Sequence, residues 1–434
     1  TNSERRISRQ RAFLPWPAEA RPDWWIVSEV ARRLGFGAGF NYRGPAEIFR
    51  EHAALSAFEN DGARDFDIGA LASLSDADYG SLAPVMWPAR RGETQGERRF
   101  FAAGGFFTPD GRARFVAPQP PEPRDATSAD FPLRLNTGRV RDQWHTMTRT
   151  GSSPRLCAHL PEPFVEVHPV DAVAAGLADD GFVNVTTQHG SAVLKLAVTA
   201  GQQRGSIFVP MHWSDATAAW ARVGDLVAAA TDPVSGQPES KATPACIAPV
   251  AFAYRGFALA RHPIVLPAGT WFARVAVAGG EGFLFASNEP PEVWQDWARR
   301  LMADDAEFAE YVDPPRGLLR IAAFRNGRLE GCIFVGPAQA APQWDAVCAL
   351  FRADTLAERE RRILLSGRSG DGMAEIGPIV CACFGVGLVA IRDAIATGAA
   401  VDVDAIGRTL RAGTNCGSCV PELRGIIARM AQAV

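Results

Sequence analysis

Two stretches decide the reading of this chain: Cys381-Ala382-Cys383-Phe384-Gly385-Val386-Gly387, and Thr414-Asn415-Cys416-Gly417-Ser418-Cys419-Val420-Pro421-Glu422-Leu423. They hold two tight cysteine pairs separated by residues 384–415. The intervening pattern predicts two short helices. Leu388, Ile391 and Ile395 share a face that Gly398 stops; Asp402 caps the next, whose face is Val403, Ile406 and Leu410, with Gly413 as its stop. A third helix follows Cys419, with Leu423, Ile426, Ile427 and Met430 at helical spacing. Both pairs are expected in loops just ahead of helix N-termini, tightened by Gly385, Gly387, Gly417 and Pro421. Backbone N–H groups and the positive dipole end would then face the sulfurs, lower thiol pKa values and favour a negatively charged centre. Three short helices in about 60 residues bury too little apolar surface to be secure alone, a deficit that a bound centre offsets. Cys381, Cys383, Cys416 and Cys419 are therefore the candidate metal ligands. Four thiolates suit a [2Fe–2S] core. A four-cysteine set is also a zinc pattern, although the one-residue gap between Cys381 and Cys383 fits zinc knuckles poorly. Unligated structural cysteines are the third reading.

Outward from these pairs the chain is ordinary in composition. It has 434 residues, 47% hydrophobic and 21% charged, the balance of a globular protein rather than a disordered or fibrous one. That length suits about three domains. The longest uncharged stretch of interest, residues 376–391, contains Gly377, Pro378, Gly385 and Gly387. It falls short of the roughly 20 apolar residues of a spanning helix, so no membrane partner is expected. A formal net charge of -3 and a pI near 6.2 argue against nucleic acid as a partner, which calls for a basic balance or stripe. Of 45 basic residues only Lys195 and Lys241 are lysine, so single arginines carry little information. No apolar signal segment lies within Asn2-Ser3-Glu4-Arg5-Arg6. The opening reads like the middle of a domain, which favours the C-terminal part of something longer over a trimmed initiator methionine. Cys157, Cys246, Cys332 and Cys348 stand alone. This is not the dense cysteine framework of a small secreted protein, and a reducing cytoplasm is expected.

Four regions are expected. Residues 1–125 mix short helices with loops rich in Gly, Pro and Arg. The clearest helix starts with Pro22 at its first position and ends at Leu34 before Gly35, with Val27, Val30, Ala31 and Leu34 on one face and Trp24-Trp25 read as core. The turn Phe107-Thr108-Pro109-Asp110-Gly111 and a Pro-rich linker at 118–123 close the region. Residues 131–250 read as β-rich, with apolar runs at 164–167, 182–187, 192–198 and 206–210 and a turn at His189-Gly190; such spacing suggests a barrel or sandwich. Residues 251–370 read as a small α+β domain. Asn326-Gly327 sits between runs 319–324 and 329–335 as a hairpin signal. A second hairpin is expected near Gly279-Gly280, and helices over 345–351 and 355–365. Cys332 and Cys348 read as buried small apolar residues. Residues 376–434 form the cysteine-bearing helical unit.

Within the β-rich region, Thr137-Gly138-Arg139 and Trp144-His145-Thr146-Met147-Thr148-Arg149-Thr150 join a strand end to a loop of hydroxyls and arginines. Such a loop offers N–H, hydroxyl and guanidinium donors to phosphate oxygens. The plain alternative is a solvated Arg/Thr loop with His145 satisfied locally.

Family resemblance sharpens these readings. Cys381-Ala382-Cys383-Phe384-Gly385-Val386-Gly387 with Thr414-Asn415-Cys416-Gly417-Ser418-Cys419-Val420-Pro421-Glu422-Leu423 resembles the bacterioferritin-associated-ferredoxin-like [2Fe–2S] domain, in the form found in nitrate and nitrite assimilation enzymes. Glu166-Val167-His168-Pro169-Val170-Asp171-Ala172, Ala175-Gly176-Leu177, Phe182-Val183-Asn184-Val185, Pro210-Met211-His212-Trp213 and Asp232-Pro233 through Ser235-Gly236-Gln237-Pro238-Glu239-Ser240-Lys241 follow one another. This order resembles the molybdopterin-dinucleotide-binding barrel of molybdopterin oxidoreductases. Asp179-Asp180-Gly181 stands where Asp-Gly-Asp is expected, and His168-Pro169-Val170-Asp171 is read as a structural helix start. The resemblance implies a six-stranded double-psi-type barrel and cofactor contacts at Thr137, Gly138, Arg139, Trp144, His145, Thr146, Thr148, Arg149, His212 and Lys241. Thr1-Asn2-Ser3-Glu4-Arg5-Arg6, Glu19-Ala20-Arg21-Pro22-Asp23-Trp24 and the stretch from Phe107 to Phe115 look like the last part of that family's catalytic core. Residues 314–336 look, less specifically, like the small C-terminal domain of flavin-dependent NAD(P)H oxidoreductases and nitrite reductases.

The implied fold class is multidomain α+β: a partial molybdopterin oxidoreductase core, the barrel, a small α+β domain and an all-α [2Fe–2S] domain. This order resembles the catalytic subunit of bacterial assimilatory nitrate reductases. It implies reduction of nitrate to nitrite at a molybdenum bis(molybdopterin guanine dinucleotide) centre, with electrons from an NADH-dependent flavoprotein or a ferredoxin. No Cys-x-x-Cys-x₃-Cys motif for the family's [4Fe–4S] cluster occurs, nor a molybdenum ligand in the expected context. Those parts are expected in an N-terminal remainder of the same enzyme, so no catalytic residue is assigned here and the chain alone is expected not to reduce nitrate. The alternatives are another molybdopterin oxidoreductase, such as a formate dehydrogenase, or a stand-alone [2Fe–2S] electron-transfer module.

Overall fold

The computed structural model describes all residues except 93–98, 103, 120–121, 302–305, 367–375 and 433–434. The chain divides into two compact units, Thr1–Pro120 and Pro121–Val434. Two residues of the expected Pro-rich linker and the expected domain end at 370 lie outside the described residues.

The first unit holds helices α1 (Asp23–Arg33), α2 (Pro45–Ala57) and α3 (Asp76–Ser81), with a short antiparallel pair, Arg6–Ile7 with Val85–Met86. Ser75 caps α3 through a reciprocal box with Asp78. The core is small, built on Ala53, Ile68, Leu71 and Ala89. Two sequence expectations fail at α1. Pro22 is the capping residue just outside the helix rather than its first residue. The inward face is Ser28 and Ala31, while Val27, Val30 and Leu34 are 58%, 53% and 70% exposed. Trp25 is exposed as well, and Trp24 is only half-buried. Helical spacing fixes which residues share a face, but not which face finds a partner.

The second unit begins with a closed six-stranded barrel. Its strands are β1 (Leu133–Gly138), β2 (Phe164–Val167), β3 (Phe182–Thr186), β4 (Ser191–Val198), β5 (Ser206–Pro210) and β6 (Thr243–Val250). The order around the barrel is β1-β5-β2-β4-β3-β6, closing back on β1. β1 with β5 and β2 with β4 are parallel; the other pairs are antiparallel. Alternate residues point inward, as a two-residue period requires. Leu135, Val165, Val167, Val185, Leu194 and Ile207 fill the interior. Two short helices lie between strands: α4 (Pro154–Cys157) and α5 (Pro169–Ala174). His168 caps α5, its Nδ1 accepting from the Val170 N–H at 3.1 Å, and Asp171 accepts from the Gly205 N–H at 2.7 Å. These residues therefore fix a helix start, as the sequence reading holds.

A six-stranded antiparallel sheet follows: β7 (Tyr254–Ala260), β8 (Trp271–Val277), β9 (Gly280–Ser287), β10 (Glu307–Asp313), β11 (Leu318–Arg325) and β12 (Arg328–Pro337), ordered β8-β9-β7-β12-β11-β10. Asn326 and Gly327 both have positive φ and turn β11 into β12. The sheet is covered on both faces except at its edge strand β10, which has no buried residue. Helix α6 (Pro291–Leu301) covers one face through Trp294 and Ala298. Helices α7 (Asp345–Phe351) and α8 (Glu358–Ser366) cover the other through Val347, Phe351 and Leu364. The last helix starts three residues later than the spacing predicts, because the Glu360 carboxylate accepts the Ala357 N–H at 2.7 Å and sets the start there. Cys332 is buried and Cys348 half-buried, and burial pushes both thiols up, Cys348 to about 12. Trp271 ties sheet to barrel: it is fully buried against Phe182 and donates to the Val193 carbonyl at 2.9 Å.

The chain ends in a lobe of three helices, α9 (Leu388–Ala396), α10 (Val403–Leu410) and α11 (Val420–Gln432). Ile391, Ile406, Leu423 and Ile426 form its centre. Asp402 caps α10 by accepting the Ala405 N–H at 2.7 Å. The stop of α10 comes earlier than Gly413: Arg411 itself takes the left-handed conformation, held over the Phe384 ring at 4.2 Å. No helix among the described residues is long and apolar enough to cross a membrane.

Candidate cofactor sites

The loop that leaves β1 is held by hydrogen bonds within the chain. The Thr137 hydroxyl donates to the Ser240 carbonyl at 2.7 Å, and Lys241 Nζ donates to the Thr137 carbonyl at 2.8 Å. Gly138 is required by contact: a Cβ there would lie 2.9 Å from the Phe208 ring. His212 is fully buried and clamps the loop at two points. Its Nε2 accepts the Val140 N–H at 2.9 Å, and its Nδ1 stands 2.7 Å from the His145 carbonyl. Burial holds it below the ordinary histidine range, so it is neutral, with the proton on Nδ1. Both ring nitrogens are thus spent within the chain. His212 shapes the loop instead of offering a donor, a correction to its reading as a cofactor contact.

The rest of the loop faces outward. Arg139, Trp144, His145, Thr146, Thr148 and Arg149 are all exposed. The Arg139 guanidinium lies 4.3 Å over the Trp144 ring, which meets His145 edge-on at 4.5 Å. His145 and Met147 have positive φ, and buried Met147 anchors the loop's middle. The loop therefore presents guanidinium, imidazole, hydroxyl and indole groups on a rigid base, the donor chemistry of a phosphate-and-ring binding surface. Of the ten residues singled out from the sequence, these six are exposed on the loop itself. Thr137, Gly138, His212 and Lys241 hold the loop's shape.

In the helical lobe the four cysteines stand as two pairs. Cys383 Sγ lies 3.3 Å from Cys416 Sγ near the surface. Cys381 and Cys419 are buried side by side, at 2% and 3% exposure. Cys416 is held below the ordinary thiol range by its hydrogen bonds to Ser418, whose hydroxyl is 3.0 Å away, and to Cys383. Burial and the neighbouring Cys381 push Cys419 up to about 11. All eight cysteines are free thiols. Among the described residues no three His, Cys, Asp or Glu side chains converge to hold a single ion. A separated inner and outer pair fits two irons bridged by sulfide better than one tetrahedral zinc.

The expected loop setting holds for only one pair. Cys419 directly precedes α11. Cys381 and Cys383 are set off from α9 by a small hairpin, Ile379–Cys381 with Val386–Gly387. Gly387 sits so close to the Ile376 carbonyl that no side chain fits, and this forces the hairpin between cysteines and helix. Cys381 pairs with Val386 across this hairpin, two residues before α9 begins.

Sequence reasoning missed the seam between lobe and barrel. Arg141, in the middle of the β1 loop, donates to the Val380 carbonyl and stands 3.1 Å from Glu422 Oε2. His159 Nδ1 lies 2.8 Å from Asp142 Oδ2, and its Nε2 3.7 Å from Glu422. Arg155 donates to the Cys383 carbonyl at 3.2 Å. No short-range pattern announces such partners, since they lie far apart along the chain.

Comparison with known proteins matches a family to each of the two regions. Residues 133–244 match the Molydopterin dinucleotide binding domain, and residues 379–429 the BFD-like [2Fe-2S] binding domain. A nitrate reductase of Klebsiella oxytoca is 44% identical over 100% of this chain and 49% of its own length. One from Shewanella frigidimarina is 37% identical over 60% of this chain and 30% of its own. The assimilatory nitrate reductase catalytic subunit of Bacillus subtilis is 32% identical over 58% and 34%. The chain thus spans half or less of the lengths of these relatives. It is a homologue of the nitrate reductases of the molybdopterin oxidoreductase family, joining a molybdopterin-dinucleotide-binding barrel to a helical [2Fe–2S]-binding domain.

Proposed function

We propose that this chain is the cofactor-holding and electron-accepting part of an assimilatory nitrate reductase acting in the cytoplasm. The observation that carries the reading is the joining, in one compact unit, of an outward-facing phosphate-donor loop to a lobe with an inner and an outer cysteine pair. The same two domains, and 44% identity to a nitrate reductase over the whole chain, support it. In this reading Cys381, Cys383, Cys416 and Cys419 would hold the [2Fe–2S] centre. The exposed Cys383–Cys416 side accepts electrons from a donor such as an NADH-dependent flavoprotein or a ferredoxin. A bound [2Fe–2S] centre supplies one-electron transfer. Arg139 and Arg149 bind phosphate oxygens of the pterin guanine dinucleotide, with the Thr146 and Thr148 hydroxyls beside them. Trp144 offers its ring to a flat part of the ligand. His212, Thr137 and Lys241 hold the loop in place. The molybdenum-ligand region and a [4Fe–4S] cluster belong to the remaining length of the enzyme.

The test uses the whole enzyme containing this chain. With a reduced dye as donor it should form nitrite from nitrate and should not oxidise formate. The Arg139→Ala and Arg149→Ala variants should lose guanine dinucleotide and molybdenum, because bidentate phosphate contacts are gone. Unchanged molybdenum and pterin content in both variants would overturn the loop assignment.

A further inference from the structure

Arg141 occupies an unusual position. It lies on the β1 loop between Arg139 and Trp144, yet its guanidinium points away from the presented surface and into the cysteine lobe, with a side chain only 19% exposed. One arm reaches the carbonyl of Val380, the residue before Cys381. It also meets Glu422, in the first turn of the helix that begins just after Cys419. Its Nε stands 3.3 Å from Asp142, whose carboxylate is 2.8 Å from His159. A single planar side chain thus grips the backbone in front of one inner cysteine and the helix behind the other. Its Nη2 makes both contacts while its Nε faces Asp142, so one guanidinium links three segments.

We propose that Arg141 is a positioning residue for the centre held by the four cysteines: it locks the inner cysteine pair to the dinucleotide loop and supplies a fixed positive charge that favours the reduced state. This rests on the reading that the cysteines hold a [2Fe–2S] centre. Taking up one electron from a reductant makes that centre more negative by one charge, and no proton or bond change is needed. A half-buried cation beside the inner pair attracts the added charge more strongly than it would in water. Glu422, on the same side, acts with the opposite sign.

The experiment measures the one-electron midpoint potential of the iron-loaded full chain by EPR during titration with dithionite. Arg141→Ala should lower the ratio of reduced to oxidised centre at a fixed potential by about tenfold, which is about 59 mV for a one-electron couple. Glu422→Gln should shift it the other way. Arg141→Lys keeps the charge but loses the planar guanidinium and its Nε beside Asp142. It should stay near the wild-type potential while hydrogen exchange rises at residues 379–383. A merely structural tie would loosen the lobe in all three variants without opposite potential shifts. If Arg141→Ala fails to load iron, the signs for Glu422→Gln and Arg141→Lys decide. Iron-loaded variants with unmoved potentials, or with shifts in one common direction, overturn this inference alone. A wild-type chain that takes up no iron overturns the cluster reading as well.

Discussion

The barrel loop and the cysteine lobe reach ligand readiness by opposite routes. The loop is held by hydrogen bonds internal to the chain, from Thr137, Lys241 and the doubly bonded His212. It stands on a closed barrel whose interior is fully packed, so its shape exists without a ligand. The lobe has a small core around Ile391, Ile406, Leu423 and Ile426, and four of the groups near that core are thiols. Two of them, Cys381 and Cys419, are buried beside one another, and burial and the neighbouring Cys381 resist thiolate formation at Cys419. Metal reverses that balance by binding the thiolates, so ligand binding and folding are coupled in the lobe. One site is preorganised by tertiary structure, and the other is completed by its ligand.

The sharpest way to break this contrast is to remove one buried ligand. Cys419→Ser should abolish iron binding and most of the amide protection across residues 379–429, while residues 133–250 stay protected. Hydrogen exchange by mass spectrometry and iron analysis read both halves. Replacing the lone Cys348 should spare the cluster. A lobe that keeps its protection without iron would place its stability in its own core and erase the distinction.

A second variant approaches from the barrel. Leu135 is fully buried, and Leu135→Ala should cost the barrel about 2–5 kcal/mol, read by denaturant unfolding. Iron content should hold, because the lobe's cysteines depend on its own helices and centre. Iron lost in step with barrel stability would show that the two regions fold as one.

The smallest effect concerns the seam. His159 is 12% exposed. Burial pulls its pKa down, but the neighbouring carboxylates of Asp142 and Glu422 outweigh that and leave it raised, with Arg141 opposing them. A raised value means that the charged form is favoured in the fold. Its contribution is therefore complete below the ordinary histidine value of 6.5 and is lost as pH rises through the higher folded value. Hydrogen exchange around residues 420–424 should rise modestly as pH climbs above neutrality, after correction for intrinsic exchange. His159→Gln should flatten that dependence. An unchanged profile in the variant would assign the seam to Arg141 alone.

Much of this molecule is determined by sequence alone, where the deciding interactions are local. The faces of α9, α10 and α11, the Asp402 cap, the Asn326-Gly327 hairpin and the His168–Asp171 helix start depend on residues a few positions apart. The cysteine spacing belongs with them. Helix α6 also carries a local signal, Trp294 and Ala298 one turn apart behind Pro291. What only the tertiary structure decided is partner choice. Periodicity could not tell that α1 turns Ser28 and Ala31 inward and leaves Val27, Val30 and Leu34 outside. Nor could it tell that His212 spends both nitrogens on the loop, or that Arg141 turns from the dinucleotide loop toward Val380 and Glu422. The physical reason is the same in each case. A side chain's chemistry limits what it can bind, but burial and hydrogen bonding depend on which distant segment the fold brings within reach.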